Sequence, residues 1–320
     1  MIHRVSGTVA RHPVLAFFLV FAIFPWVVPY KSLAAQVLIY GLFALGFNLL
    51  YGYTGLLSFG SAAYWGLGAY GTGIAIAKLG ITSVWLALGM GVLAAGVGGA
   101  LIGNFCLRRR GIYFAMLTLA FAQLLYFVGF HLSEWTGGDD GLRGITMPSL
   151  WLFGVTIPLD TSTRFYYFAL VIVGLAVAGL DRILKSPFGT VLQAIRENPA
   201  RAAACGYDIA QVKWLSFVFY AVFMGLAGGL EALRLTVVPI ESLFWATSGQ
   251  VVIMTLLGGA GTFFGPFVGA AAWLVLEDRI AVYTESWALV IGAIFMLFVI
   301  FLPKGIWGTL LARIGAPARG

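Results

Sequence analysis

The side chains able to do chemistry are few and scattered. His3, His12 and His131 share no metal-ligand spacing, and no phosphate-cradling G-x-x-x-x-G-K-[ST] run, activated nucleophile or catalytic carboxylate pair occurs. Asp139 and Asp140 are too few for a calcium loop, which needs ligands at alternating positions over about twelve residues. Glu231 and Arg234, three residues apart near a helix end, read as an interfacial ion pair. The chain is therefore expected to be no enzyme, to bind no metal or cofactor and to hydrolyse no ATP itself. The remaining polar residues, Asn48, Thr54, Ser58, Ser61, Thr118, Gln123 and Gln250, sit inside apolar runs with no strong Asp, Glu or Lys relay. A proton- or sodium-coupled carrier more often has an ionisable group at mid-span, so the energy source is expected to lie outside this chain.

The elements that carry those residues are lipid-type. Of 320 residues, 61% are hydrophobic and 10% charged, and the mean hydropathy is +0.97; soluble domains run at about 45–50% apolar and about 25% charged. A water-soluble fold of this size would have too few charges to cover its outside. A membrane helix needs about 20 apolar residues, and spans are read at 13–30, 33–51, 56–77, 83–107, 111–132, 164–182, 212–235 and 287–302, with a broken region over 248–277. The expected fold is all-α, a polytopic transmembrane helical bundle of about 9–10 passes forming one domain over 1–320. The 42 glycines recur inside apolar runs, where they mark close helix seams, and ten Trp with thirteen Tyr suit interfacial belts. Ser32-Leu33-Ala34 mimics a signal cleavage site, but the length of the first apolar run, with Pro25 and Pro29, favours an uncleaved helix.

A net charge of +7 raises nucleic acid as a partner, yet the positive residues lie in short loops flanking apolar spans, the positive-inside pattern of a protein whose surroundings are lipid. Arg4 and Arg11 place the N-terminus in the cytoplasm, as do Arg108 to Arg110 for the loop after four spans, and Arg182, Lys185, Arg196, Arg201 and Lys213 for the loop over 181–213. Lys304, Arg313 and Arg319 put the C-terminus inside too, provided 248–277 is two segments broken at Gly258-Gly259-Ala260-Gly261; Glu277, Asp278 and Glu285 then fall outside. Cys106 and Cys205 lie beside cytoplasmic loops, so no disulfide is expected.

Four segments stand out. Gly52 to Gly60 and Gly258 to Gly265 interrupt spans, and each precedes a small-residue helix; paired interruptions of this kind point to an internal repeat with broken or re-entrant segments beside a pathway. In the 184–212 loop, Ser186-Pro187 and Asn198-Pro199 both read as N-cap plus proline, and Gly206 as a left-handed stop. The short helix between them is unstable alone and suits docking into a partner's groove, with an ordinary linker as the alternative. The external loop over 134–163 contains Gly137-Gly138-Asp139-Asp140-Gly141, read as a turn or a partner contact.

These segments carry a resemblance. Asn48-Leu-Leu-Tyr-Gly-Tyr-Thr-Gly-Leu-Leu-Ser-Phe-Gly60, Arg110 to Ala122, Thr136 to Ile145, Ser186 to Gly189 with Ala194 to Gly206, Leu256 to Gly261, Gly265-Pro266 and Phe301 to Gly305 resemble, in order and over nearly the whole chain, the LivM-like permeases of branched-chain amino-acid ABC importers. The resemblance implies a second, LivH-like permease, two cytoplasmic ATPase subunits that hold ATP and Mg, and a periplasmic substrate-binding protein, all at a bacterial inner membrane. It implies ATPase coupling through Glu197, Asn198, Pro199, Ala200, Arg201, Ala202, Ala203 and Gly206. It implies a translocation pathway near Asn48, Gly52, Tyr53, Thr54, Gly55, Ser58, Gly60, Ser61, Gly258, Gly259, Gly261 and Gly265. Ser61 stands where the family usually has His, and Asp139 where a small residue is common. Relatives of this architecture carry urea, short amides or aromatic acids, and a stand-alone carrier or channel is the reading from another class.

Overall fold

The apolar runs become helices because, away from water, a segment must satisfy its own N–H and C=O groups. The structure is a computed structural model that describes residues 13–314 apart from 29, 148–149, 153–154 and 285. His3, Arg4, Arg11, His12, Pro29, Glu285 and Arg319 lie outside the described residues. The helices are α1 (Pro13–Val27), α2 (Lys31–Asn48), α3 (Ser61–Ala77), α4 (Val84–Cys106), α5 (Ile112–His131), α6 (Ser133–Thr136) and α7 (Ser162–Lys185). They continue with α8 (Pro187–Glu197), α9 (Pro199–Ala204), α10 (Ile209–Leu235), α11 (Trp245–Gly258), α12 (Gly265–Tyr283), α13 (Trp287–Phe301) and α14 (Gly305–Ile314). The bundle is all-α apart from a small antiparallel hairpin in the 134–163 loop, β1 (Leu150–Leu152) with β2 (Val155–Ile157).

Among the described residues, six helical stretches are long and apolar enough to cross a membrane: Lys31–Tyr53, Val84–Cys106, Ile112–His131, Ser162–Lys185, Ile209–Leu235 and Ala288–Arg313. The Pro13–Trp26 and Trp245–Gly258 helices are apolar but shorter. α3 is also short, with 17 residues, because the chain ahead of it does not become helical. The span read at 56–77 starts as a helix only at Ser61; Thr54 to Gly60 run as irregular backbone.

Two helix triples organise the core. α3, α4 and α10 pack on one another, and so do α11, α12 and α2. Each triple takes two consecutive helices from one half of the chain and a long helix from the other, as an internal repeat with exchanged long helices would. By that order of elements, the irregular 54–60 segment ahead of α3 corresponds to 236–244 ahead of α11, and not, as paired from the sequence, to Gly258 to Gly265, which falls between α11 and α12. Glycines let the backbones meet: a Cβ on Gly228 would lie 2.8 Å from the Trp65 carbonyl carbon, and one on Gly71 2.9 Å from the Gly91 Cα. Small residues at such seams are the means by which helices pack where lipid gives them no hydrophobic drive. The interior helix is α2, with 89% of its apolar window buried; the last stretch, Ala288–Arg313, lies at the periphery with 11% buried.

Contacts define the two ends of the bundle. At one, Arg196 reaches Gly52 and Gly261, and Gly259 lies against Lys304. At the other, Leu142 and Val238 form a β-bridge beside Gly73, Lys31 Nζ donates to Thr163 Oγ1 at 2.8 Å, and Arg234 Nη1 donates to Ser32 Oγ at 3.3 Å. The α8–α9 hook projects from the first end, and the hairpin loop belongs to the second.

Candidate functional site

Both irregular segments singled out from the sequence occur, and their neighbouring residues meet. α2 widens into a π-helical turn at Leu49–Tyr53, a local irregularity of the kind that often marks functional positions. One turn earlier, the fully buried Asn48 points across to the second interruption: its Oδ1 accepts from the Gly261 N–H at 2.7 Å, and its Nδ2 donates to the Thr262 carbonyl at 2.8 Å. Its carboxamide thereby takes the place of a missing helical partner for a backbone that has left the helix at Gly258.

The seam itself is backbone against backbone. A Cβ on Gly52 would lie 2.7 Å from the Gly261 nitrogen, and Gly259 and Gly261 have φ of 114° and 80°, values that glycine adopts without strain. Gly258, Gly265 and Gly269 close the adjoining α11–α12 contact; a Cβ on Gly269 would lie 2.7 Å from the Gly258 nitrogen. Gly52, Tyr53 and Gly261, with Gln193, Arg196 and Glu197 from α8, line a cavity of about 120 Å³.

The first irregular segment is stitched by hydroxyls from three other helices. The Phe59 N–H donates to Thr118 Oγ1 of α5 at 3.1 Å, and the Ala62 N–H to Ser248 Oγ of α11 at 2.9 Å. Ser61 Oγ and the Tyr220 hydroxyl of α10 are 2.8 Å apart, the Tyr220 hydroxyl also donates to Ser58 Oγ at 3.4 Å, and the Gly60 N–H donates to Ser58 Oγ at 3.2 Å. Thr54 Oγ1 pairs with Ser216 Oγ at 2.9 Å. Non-helical backbone at this depth persists only where protein groups satisfy it, and these hydroxyls do so. Ser61 thus takes a partner from α10. Tyr53, Thr54, Ser58, Gly60, Ser61, Gly258, Gly259 and Gly265 are all buried, and only Gly55 of the sequence-derived pathway set is exposed.

The hook forms as expected. Asn198 Oδ1 accepts from the Arg201 N–H at 3.0 Å, capping α9, and Gly206 has φ of 88°. Ser186 stands at the start of α8 ahead of Pro187, but its side chain does not cap; its Oγ donates back to the Ile183 carbonyl at 2.6 Å. Glu197, Asn198, Pro199, Ala200, Arg201, Ala203 and Gly206 are exposed, while Ala202 is buried against Val191 and Ile195 of α8.

At the opposite end, Gly137, Gly138 and Gly141 all have positive φ, and Asp139 and Asp140 are exposed. The loop is tied down: the Leu142 and Val238 N–H groups donate to each other's carbonyls at 2.9 and 3.0 Å. The ion pair read from sequence is present and buried, with Arg234 Nε and Nη2 each 2.7 Å from a Glu231 carboxylate oxygen. Among the described residues, no cluster of three metal-ligating side chains occurs.

Ser216, Tyr220, Ser248, Thr262 and Arg196 belong to the site but carried no signal as site residues in the sequence. Each is an ordinary polar residue in an apolar run or a basic loop, and its meaning lies in a partner far along the chain.

Comparisons with known proteins agree over most of the length. The family described as the permease component of branched-chain amino acid transport systems matches residues 30–300. The high-affinity branched-chain amino acid transport system permease protein LivM of Salmonella typhimurium is 30% identical over 323 residues, covering 94% of this chain and 76% of the relative. LivM of Escherichia coli is 29% identical, covering 86% and 69%. LivH of Salmonella typhimurium, a permease protein of the same transport system by name, is 25% identical, covering 84% and 91%. No solved structure matches the chain.

Proposed function

The chain belongs to the family of branched-chain amino acid transport permease components, and from that premise we propose that it is one transmembrane subunit of an ABC importer for branched-chain or similar small amino acids. It pairs with a LivH-like permease, as the co-occurrence of both names among its relatives supports. Two cytoplasmic ATPase subunits supply ATP hydrolysis with Mg, and a periplasmic binding protein supplies the solute.

The observation that carries this reading is the exposed, capped α9 hook at the basic end of the bundle, one helix removed from the Gly52–Gly261 seam. Arg108, Arg109, Arg110, Arg182, Lys185, Arg201, Lys213, Lys304 and Arg313 gather at that end against Asp181, Glu197 and Asp208. The other end holds Glu134, Asp139, Asp140, Asp160, Glu241 and Asp278 beside Lys31, Arg143, Arg164, Arg234 and Arg279, so the hook end carries the excess of basic residues. The positive-inside rule then puts the hook in the cytoplasm and the 134–163 loop in the periplasm, with both chain termini on the cytoplasmic side. Residues 197–206 dock the ATPases, the loop at Gly137 to Gly141 faces the binding protein, and the irregular segments rearrange as the pathway alternates its access.

The test is reconstitution. The chain, its partner permease, the ATPases and the binding protein in proteoliposomes take up leucine-type solutes only with ATP. Saturable uptake by this chain without ATPase subunits would overturn the reading in favour of a secondary carrier.

A further inference from the structure

One side chain joins the cytoplasmic hook to both irregular segments at once. Arg196, on the last turn of α8, donates through Nη1 to the Gly52 carbonyl. Its neighbours on the same face of the seam are glycines: a Cβ on Gly55 would lie 3.1 Å from the Arg196 Cγ, and one on Gly261 3.3 Å from its Nη1. The seam is thus bridged twice, by the Asn48 carboxamide from within the bundle and by the Arg196 guanidinium from the hook side.

The mechanical route to Arg196 is continuous. α9 is exposed apart from Ala202, which packs with Val191 and Ile195 of α8, closed off by Ile209 and Val212 of α10. α8 and α9 therefore share a small apolar core separate from the main one, so a displacement of α9 moves α8 with it. α8 ends in Arg196 and Glu197. At the far side, the acceptor is a carbonyl within a π-helical turn, where the helical ladder is already irregular and the backbone has slack to respond. The Gly52–Gly261 contact offers no side chain of its own for the hook to act on, since both residues are glycine. A guanidinium is well suited to such a link because it stays charged, its donors hold a fixed fork, and charge-assisted bonds to carbonyls are stronger than neutral ones.

We infer that Arg196 is the positioning residue that carries movement of the α9 hook to the Gly52–Gly261 seam, by holding the Gly52 carbonyl. The inference rests on the importer reading above and adds to it the residue through which docking becomes rearrangement. Arg196 makes neither the cap at Asn198 nor the Asn48 bridge, so its replacement is expected to leave the hook, that cap and that bridge in place.

The experiment compares wild type, Arg196→Gln and Arg196→Lys in the full reconstituted importer, measuring ATPase co-purification, ATP hydrolysis and solute uptake in the same vesicles. Arg196→Gln is expected to retain its ATPase subunits and to hydrolyse ATP within about twofold of wild type, while uptake per ATP falls about tenfold, within the usual range of an energetic coupling between sites. Arg196→Lys, which keeps a charged donor, is expected to recover a substantial part of the ratio. An unchanged uptake-to-hydrolysis ratio in Arg196→Gln would overturn the inference, as would loss of ATPase co-purification, which would make Arg196 part of the docking surface instead. ATP-independent uptake by wild type would strike the importer reading itself, and is read separately from the variants.

Discussion

Replacing Asn48 by leucine keeps the number and branching of the side-chain heavy atoms and removes both hydrogen bonds to the second irregular segment. Asn48 is fully buried, and the Gly261 N–H and Thr262 carbonyl that it satisfies lie 213 and 214 residues away in sequence. Leaving a buried backbone group without a partner costs about 1–3 kcal/mol in water-soluble proteins, while measured side-chain bonds between membrane helices average about 0.6 and reach about 1.7 kcal/mol. For two bonds the expected loss is about 1–3 kcal/mol, the lower scale applying because the alternative state also finds partners. At roughly 2 °C per kcal/mol for a chain of this size, the melting midpoint in detergent falls by about 2–6 °C. The mechanism makes a sharper claim through Gly52→Ala, whose new Cβ would sit 2.7 Å from the Gly261 nitrogen and 2.9 Å from the Asn48 Cγ. That methyl disrupts the same bridge, so the double variant should lose less than the sum of the singles, by about 0.5–3 kcal/mol. Unfolding midpoints for the four proteins of the cycle decide it. Strict additivity, or an Asn48→Leu variant as stable as wild type, would refute the bridge.

Three further outcomes are expected. Ala203→Glu, on the exposed face of α9, abolishes ATPase co-purification while membrane insertion stays normal; full recovery of the ATPases would remove the hook from the interface. Glu231→Gln takes the carboxylate from the half-buried Arg234 guanidinium, which keeps Ser32 Oγ as a partner, so the loss is expected to fall below the ~3–5 kcal/mol of a fully buried broken pair; Glu231→Gln with Arg234→Met should regain most of the lost thermal stability, and a double variant weaker than the single would count against it. Cys205 is exposed and Cys106 buried, so an impermeant maleimide should label Cys205 in inside-out vesicles and leave it unlabelled in intact cells; the opposite pattern would invert the orientation.

Local features of the chain were legible because local physics produces them. Asn198-Pro199 and Gly206 bound α9 as their capping chemistry requires, since a cap needs only the next three residues and a left-handed stop only one. The glycine-rich interruption after Gly258 is visible because glycine stands at 258, 259, 261 and 265 within eight residues. At the start of α3 the same reasoning fell short: the span read from residue 56 begins at Ser61, since Thr54, Ser58 and Phe59 find partners in Ser216, Tyr220 and Thr118 that no local rule anticipates. Ser186 likewise has the sequence of a cap, and its hydroxyl turned back to Ile183 instead.

By itself, then, the sequence determined that this is a lipid-embedded helical chain, where its helices stop, which end of each loop is basic, and which family its motifs follow. All of these depend on composition or on neighbours within a few residues. Only the tertiary structure decided that Asn48 bridges to Gly261, that α2 and α10 exchange between the two triples, and that Arg196 reaches Gly52, Gly55 and Gly261. Hydrogen bonds act over about 3 Å and in set directions, so partners two hundred residues apart leave no periodicity to read until the fold has brought them together.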